Sequence, residues 1–430
     1  MTLSAALLVA VLSPTEVQGR QQGLPDAAAR TTLATVRPVK GQVRQAALVA
    51  RVPAASDEDV PAERGIIDAT WVAATPGGFA VVDRLSSSVA FFNDGGEWLG
   101  RVGSAGEGPG EFSGGILHAV AVADRLWVPD VRHRRVNIID IPSRTWLDSN
   151  PLDVLQGFPW ALLSPGDEVL GAAVMSWGFG SEPRTMSLNL WTGEAMEPAF
   201  SWAVDEDRRG WASRTLVVEG NRHGTVAILD RQGGNIRVRD LAGNNLARFV
   251  FAEDAGMELS EEDRVCLEAL REPVLARRMR SLERRLGGLA TEVPTDVARQ
   301  LTNAARGGRS EQPSPFNDRY PLFLDARFDP ESETVWVARP LTADEIRELP
   351  VQLGWDVLDS SARYWDAFSY DGSFRYRLEV PVGFVLTDAR DGRFYGYEID
   401  PLGTKHAVVL SLTVSTASIT PCGGPPTACQ

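Results

Sequence analysis

Short apolar runs punctuated by turn residues fill most of the chain, and one pattern among them returns. Val81-Val82-Asp83 is followed, six residues after the Asp, by Val89-Ala90-Phe91-Phe92-Asn93. Val128-Pro129-Asp130 leads at the same interval to Val136-Asn137-Ile138-Ile139-Asp140, and Val226-Ala227-Ile228-Leu229-Asp230 to Ile236-Arg237-Val238-Arg239-Asp240. Apolar runs of this length bounded by Gly, Asn and Asp read as strands, and self-similarity at a period of tens of residues marks a repeat architecture.

The pattern predicts strands over 66–74, 79–83, 89–93 and 98–102 in a first repeat, turning at Pro76-Gly77-Gly78 and Asp94-Gly95-Gly96. A second repeat reads 117–122, 125–128, 136–139 and 145–147. A third reads 160–163, 168–173, 185–190 and a strand near Phe200, and a fourth 226–230, 236–240 and 247–251. The fifth (322–328, 334–338, 364–370, 374–380) and sixth (385–388, 394–400, 406–412) complete the series, the sixth sheet being finished either by a final C-terminal strand or by an early N-terminal one. Radially repeated sheets of about four strands leave only short, protected edges. The expected fold is therefore all-β, a six-bladed β-propeller. A lone early strand over 43–52 has a use in such a ring, because it can pair with the last repeat and close it. Between repeats four and five the period changes. Ser260 with Asp263 has the form of a capping box, and Thr295 can cap a further helix. A helical insertion over about 257–317 is expected there.

Composition agrees with a large globular core: 430 residues, 43% hydrophobic, with 40 Gly and 12 Trp. The formal net charge of −14 argues against nucleic acid as a partner, since phosphate backbones are repelled. Residues 1–19 read as a signal peptide without its basic start, residues 20–42 as a linker, 43–420 as the propeller and 421–430 as a tail. No later run is apolar and long enough for a transmembrane helix. Export to the periplasm or beyond would permit a disulfide between Cys422 and Cys429, while Cys266 reads as a buried thiol.

Residues 101–112 (Arg-Val-Gly-Ser-Ala-Gly-Glu-Gly-Pro-Gly-Glu-Phe) invite a phosphate-loop reading that fails on chemistry. Pro109 lacks an N–H, Glu107 and Glu111 bring negative charge, and no Lys-Ser/Thr follows. The stretch reads instead as an inter-blade crossover whose glycines reach positive φ and whose Phe112 is an apolar plug. Gly106-Glu107-Gly108-Pro109-Gly110-Glu111-Phe112, followed by Leu126-Trp127-Val128-Pro129-Asp130 and Arg135-Val136-Asn137-Ile138-Ile139-Asp140, resembles the bacterial six-bladed β-propeller family related to NHL repeats. The match is tight over about 78–141. The insertion, with Pro321-Leu322-Phe323 and Thr334-Val335-Trp336-Val337 after it, resembles exported members. The resemblance implies fold and export more than any chemistry.

No metal site or cofactor is expected. His118, His133, His223 and His406 lack ligand spacing, and Asp205-Glu206-Asp207 lacks the rest of a calcium loop. His118 can face the central channel or serve as a structural polar group. One pattern points to a ligand. Arg84, Arg132, Arg134, Arg231 and Arg339 all follow a second strand, so their loops should open on one face and ring an anionic ligand. The competing reading pairs each Arg with a nearby Asp. The expected function is an exported binding or scaffold module for a protein or anionic small ligand, without catalysis. The alternative is a metal-dependent propeller enzyme of lyase or lactonase type.

Overall fold

The computed structural model describes residues 30–34, 43–55, 57, 61, 64–116, 118–151, 158–166, 169–176, 185–191, 196–203, 218–221, 224–230, 235–251, 260–261, 325–329, 332–339, 362–369, 373–400 and 404–412. The signal-peptide stretch, nearly all of the expected helical insertion, Arg231, Cys266, Cys422 and Cys429 lie outside them.

The chain begins with β1 (Arg30–Ala34) and β2 (Val43–Arg51), then forms a series of antiparallel units. The first holds β3 (Ala69–Thr75), β4 (Gly78–Asp83), β5 (Ser88–Asn93) and β6 (Trp98–Val102). The second holds β7 (Val120–Val122), β8 (Arg125–Asp130), β9 (Arg135–Asp140) and β10 (Thr145–Pro151). The third is β11 (Phe158–Gly166), β12 (Val169–Ser176), β13 (Thr185–Trp191) and β14 (Met196–Ala203). The fourth is β15 (Val218–Asn221), β16 (Thr225–Asp230), β17 (Asn235–Asp240) and β18 (Asn245–Phe251). Then come β19 (Ala326–Asp329), β20 (Thr334–Ala338), β21 (Tyr364–Ser369) and β22 (Phe374–Glu379), followed by β23 (Phe384–Arg390), β24 (Arg393–Ile399) and β25 (Lys405–Leu412).

The first strands of successive units touch in order: β3 with β7, β7 with β11, β11 with β15, β15 with β19, β19 with β23, and β23 back to β3. This is an all-β, propeller-like arrangement around an axis. A unit held between two neighbours buries both faces of its sheet, so second strands such as β4 are buried at every position, while outer strands such as β6 and β10 are partly exposed. In β4, Phe79 and Val81 pack with Val72, Tyr395 and Val409 on one side. Ala80 and Val82 pack with Phe112, Leu126 and Ile139 on the other. Trp336, Trp365, Phe384 and Phe394 fill another junction.

The Asp that recurs six residues before a strand caps a particular turn. Asp83, Asp130, Asp140 and Asp329 accept from the N–H three residues on, in Ser86, His133, Ser143 and Ser332. The residue after that N–H has positive φ each time: Ser87 (52°), Arg134 (51°), Arg144 (54°) and Glu333 (47°). Such a left-handed residue lets a four-residue loop re-enter the antiparallel ladder.

The N-terminal segment straps the rim. Val43–Gln45 pair in parallel with β22, and from Ala46 onward β2 pairs antiparallel with β25, joining the last two units into one eight-stranded sheet. Of the two strands that could finish the last repeat, the early one pairs with it, and the contact with β22 is additional. Arg44 lies 4.0 Å over the Tyr376 ring, and Gln45 donates to Glu379 at 2.6 Å. β1 adds to β18 in parallel, so the stretch expected as linker contains a strand.

Candidate functional site

Within each antiparallel unit the loop between second and third strands opens at the end where the chain crosses to the next unit. The crossover 103–116 and the loops 84–87 and 131–134 therefore share a face, and hydrogen bonds join them. Asp130, fully buried, accepts from Ser113 N at 2.8 Å and from Ser113 Oγ, and lies 2.9 Å from His133 Nδ1. Asp83 likewise accepts from Ile67 N and Asp68 N at 3.0 Å. Arg135 reaches from β9 into the glycine-rich crossover and donates to the carbonyls of Gly108 (2.9 Å), Glu111 (2.7 Å) and Glu107 (3.3 Å). Glu111 accepts from Gly108 N, and Phe112 is fully buried among apolar residues of the first two units. The crossover's polar groups are bonded to one another, to Arg135 of β9 and to Asp130 of β8.

The arginines that sequence singled out divide in two. Arg84 is ion-paired to Asp68 at 2.8 Å, which also meets Lys405 at 2.9 Å. Those two cations outweigh burial and hold Asp68 below the usual carboxylate range. Arg339 lies 3.6 Å from Asp366, which Arg377 also binds at 2.6 Å. Burial, with the like charge of Arg377, pulls the Arg339 guanidinium down. Arg132 and Arg134 are exposed on the 131–134 turn, Arg132 meeting the Ser113 carbonyl at 3.4 Å. Arg84 does not use Asp83, which directly precedes it, and the residue before Arg339 is Ala338. The partners come from another strand or from the segment leading into β3, which sequence proximity does not reveal.

A second set of groups lines the axis. Trp71 and His118 stand at equivalent places, each four residues before the end of its inner strand, with rings 5.9 Å apart and edge to face. The Arg327 guanidinium of β19 lies 5.6 Å over the Trp71 ring, so it reaches past β23 across the axis. It is held by Asp325 at 2.8 Å and by the Ala326 carbonyl. His118 and Asp388 are partly exposed yet strongly desolvated. Desolvation pushes His118 down to about 4 and Asp388 up to about 6. Sequence reasoning named His118 but none of Trp71, Arg327 or Asp388, which meet only through the ring. Among the described residues no group of three or more His, Cys, Asp or Glu is placed to hold a metal ion, and no helix is long and apolar enough to cross a membrane.

No protein-family model matches the chain. None of the curated proteins matches it by sequence. Solved structures share its general shape at low identity. A candidate exported protein of Bacteroides fragilis is 9% identical, with 89% of this chain and 99% of that chain covered and a TM-score of 0.49. A streptogramin B lyase is 8% identical, covers 80% and 93%, and has a TM-score of 0.39. The hydrazine synthase of Kuenenia stuttgartiensis is 9% identical, covers 80% of each chain, and has a TM-score of 0.34. Likenesses of this strength carry no argument about chemistry.

Proposed function

We propose that the chain is an exported six-bladed β-propeller acting as a binding or scaffold module, which takes a protein or a small anionic ligand on its crossover face. The count of six rests on the cyclic contacts of the inner strands, with β2 as the outer strand that completes the sixth blade. The observation that supports an anionic ligand is the turn 131–134. It presents Arg132 and Arg134 to solvent on a backbone fixed by Asp130 and flanked by the Arg135-locked crossover. A preorganised frame loses little freedom on binding, and guanidinium forks suit carboxylate, sulfate and phosphate. In this reading Arg231 joins Arg132 and Arg134, while Arg84 and Arg339 shape the face through their ion pairs.

The test is hydrogen–deuterium exchange of the full chain with a sulfated oligosaccharide, and separately with inorganic phosphate. Protection should concentrate in 131–134 and the neighbouring crossover. Arg132→Glu/Arg134→Glu should weaken binding about tenfold or more. Binding that this double variant leaves unchanged would overturn the proposal.

A further inference from the structure

The rim of the fourth unit carries a row of like charge. Across the β17–β18 pair Arg237 stands directly opposite Arg248, and Arg239, two residues along β17, shares their face. Like charges placed directly opposite across a ladder repel. Arg239 registers this: burial, and after it the charge of Arg237, holds its guanidinium below the usual range. Its Nε donates to Asn245 at 3.0 Å and its guanidinium lies 5.6 Å over the Phe200 ring, so the row faces the groove toward the third unit. Arg248 is exposed. Three arginines on one sheet face are out of character for a chain of net charge −14.

The same edge already accepts a strand. β1 runs parallel to β18 from Arg30 beside Ala247 to Ala34 beside Phe251, with Thr31 beside Arg248. Its sequence, Arg-Thr-Thr-Leu-Ala, contains no carboxylate, and the residue in register with Arg248 is Thr31. Parallel pairing is weaker per residue than antiparallel, and so short a strand paired on one side only is marginal.

We infer that the β18 edge is a strand-addition site for an extended acidic segment of a partner polypeptide, with β1 as the occupant that segment displaces. In strand addition the main-chain ladder gives affinity and every second side chain gives specificity. A Glu in the place of Thr31 lies beside the exposed Arg248, with which it forms a charge-assisted hydrogen bond. This surface is separate from the 131–134 turn and goes beyond the ligand proposed for it.

The test uses the full chain and a labelled, end-blocked heptapeptide alternating Val and Glu, followed by fluorescence anisotropy. Saturable binding is expected, weakened about tenfold by Arg248→Glu and tightened by Thr31→Pro/Thr32→Pro, which unpairs β1. Should Arg248→Glu misfold, Arg248→Gln gives the same direction with a smaller loss. A peptide of equal charge with Pro in place of each Val should not bind, because it lacks the N–H groups of a ladder. Arg132→Glu/Arg134→Glu should bind the Val–Glu peptide like wild type, which separates this site from the crossover face. Equal binding of the Pro peptide, indifference to the Arg248 variants, or no binding to the double-Pro variant overturns the inference.

Discussion

Asp388 of β23 accepts the backbone N–H of Ala74 in β3 at 2.8 Å, across the junction where the last unit meets the first. Its other oxygen accepts from Ala389 N, and Thr387 beside it bonds both the N–H and the carbonyl of Val72. Burial pushes the Asp388 carboxyl up to about 6 from 3.8, with the backbone amides and Arg327 opposing and Asp329 adding to the rise. A raised carboxyl pKa means that the folded chain holds a proton the unfolded chain has released. The stability this contributes is full below about pH 4 and is lost as the pH rises through about 6. Urea unfolding of wild type and Asp388→Asn across that window should therefore diverge. Wild type should gain about 1 kcal/mol more than the variant on going from about pH 7.5 to 4.5, half of the roughly 2 kcal/mol the full shift would give over that window, because the carboxyl is partly exposed. Parallel curves would show that the carboxyl does not titrate there.

Asp130→Ala should be costly although it removes only a small side chain. It strips the acceptor from Ser113 N and leaves the turn 131–134 without its cap. Leaving buried donors unsatisfied costs about 2–3 kcal/mol. Chemical denaturation measures the loss, and Asp130→Asn, which keeps one acceptor, should recover part of it. A loss below about 0.5 kcal/mol, the range of an ordinary surface substitution, would make the capping role negligible.

The Asp-to-strand interval was readable from sequence because a local turn produces it: a capping Asp, an N–H three residues on, then a left-handed residue. Apolar runs also fixed most strand positions, since sheets buried on both faces need no alternation. What stayed hidden was anything set by ring closure. β15 has only Val218 as an apolar β-former in a span of four, so no run marks it. Ion pairing of Arg84 and Arg339 was among the readings the sequence offered, but their partners were not legible, because Asp68 and Asp366 lie in other segments. Trp71 and Arg327 are 256 positions apart (327 − 71) and meet only across the axis.

Gly103 cannot be replaced without displacing the plug of the first crossover. Its φ is +94°, and a Cβ there would stand 2.3 Å from the Phe112 ring. Gly103→Ala should combine backbone strain with overpacking, each of about 1–3 kcal/mol. Gly77→Ala is the informative control: φ is +75° there but no atom lies within 4 Å, so only the strain term remains. Thermal melts should rank wild type above Gly77→Ala, and Gly77→Ala above Gly103→Ala. Equal melting of the two variants would mean that Phe112 moves aside freely.

Closure of the ring depends on β2. A chain beginning at Pro53 loses the strand that pairs with β25 and its tie to β22. It also loses Ala50 and Val52, which are buried with Tyr395, Ala407 and Val409 at the same junction where Asp388 meets Ala74. The unpaired β25 edge would then face solvent, an invitation to aggregation. Arg44→Ala/Gln45→Ala is milder, because it removes the Tyr376 and Glu379 contacts and keeps the β25 ladder. It should cost about 1–2 kcal/mol. Limited proteolysis should cut the truncated chain first near β23 to β25, whereas the double variant should resist like wild type at room temperature. A truncated chain that melts cooperatively at the wild-type temperature would mean that the inner strands and their side-chain bonds close the ring without β2.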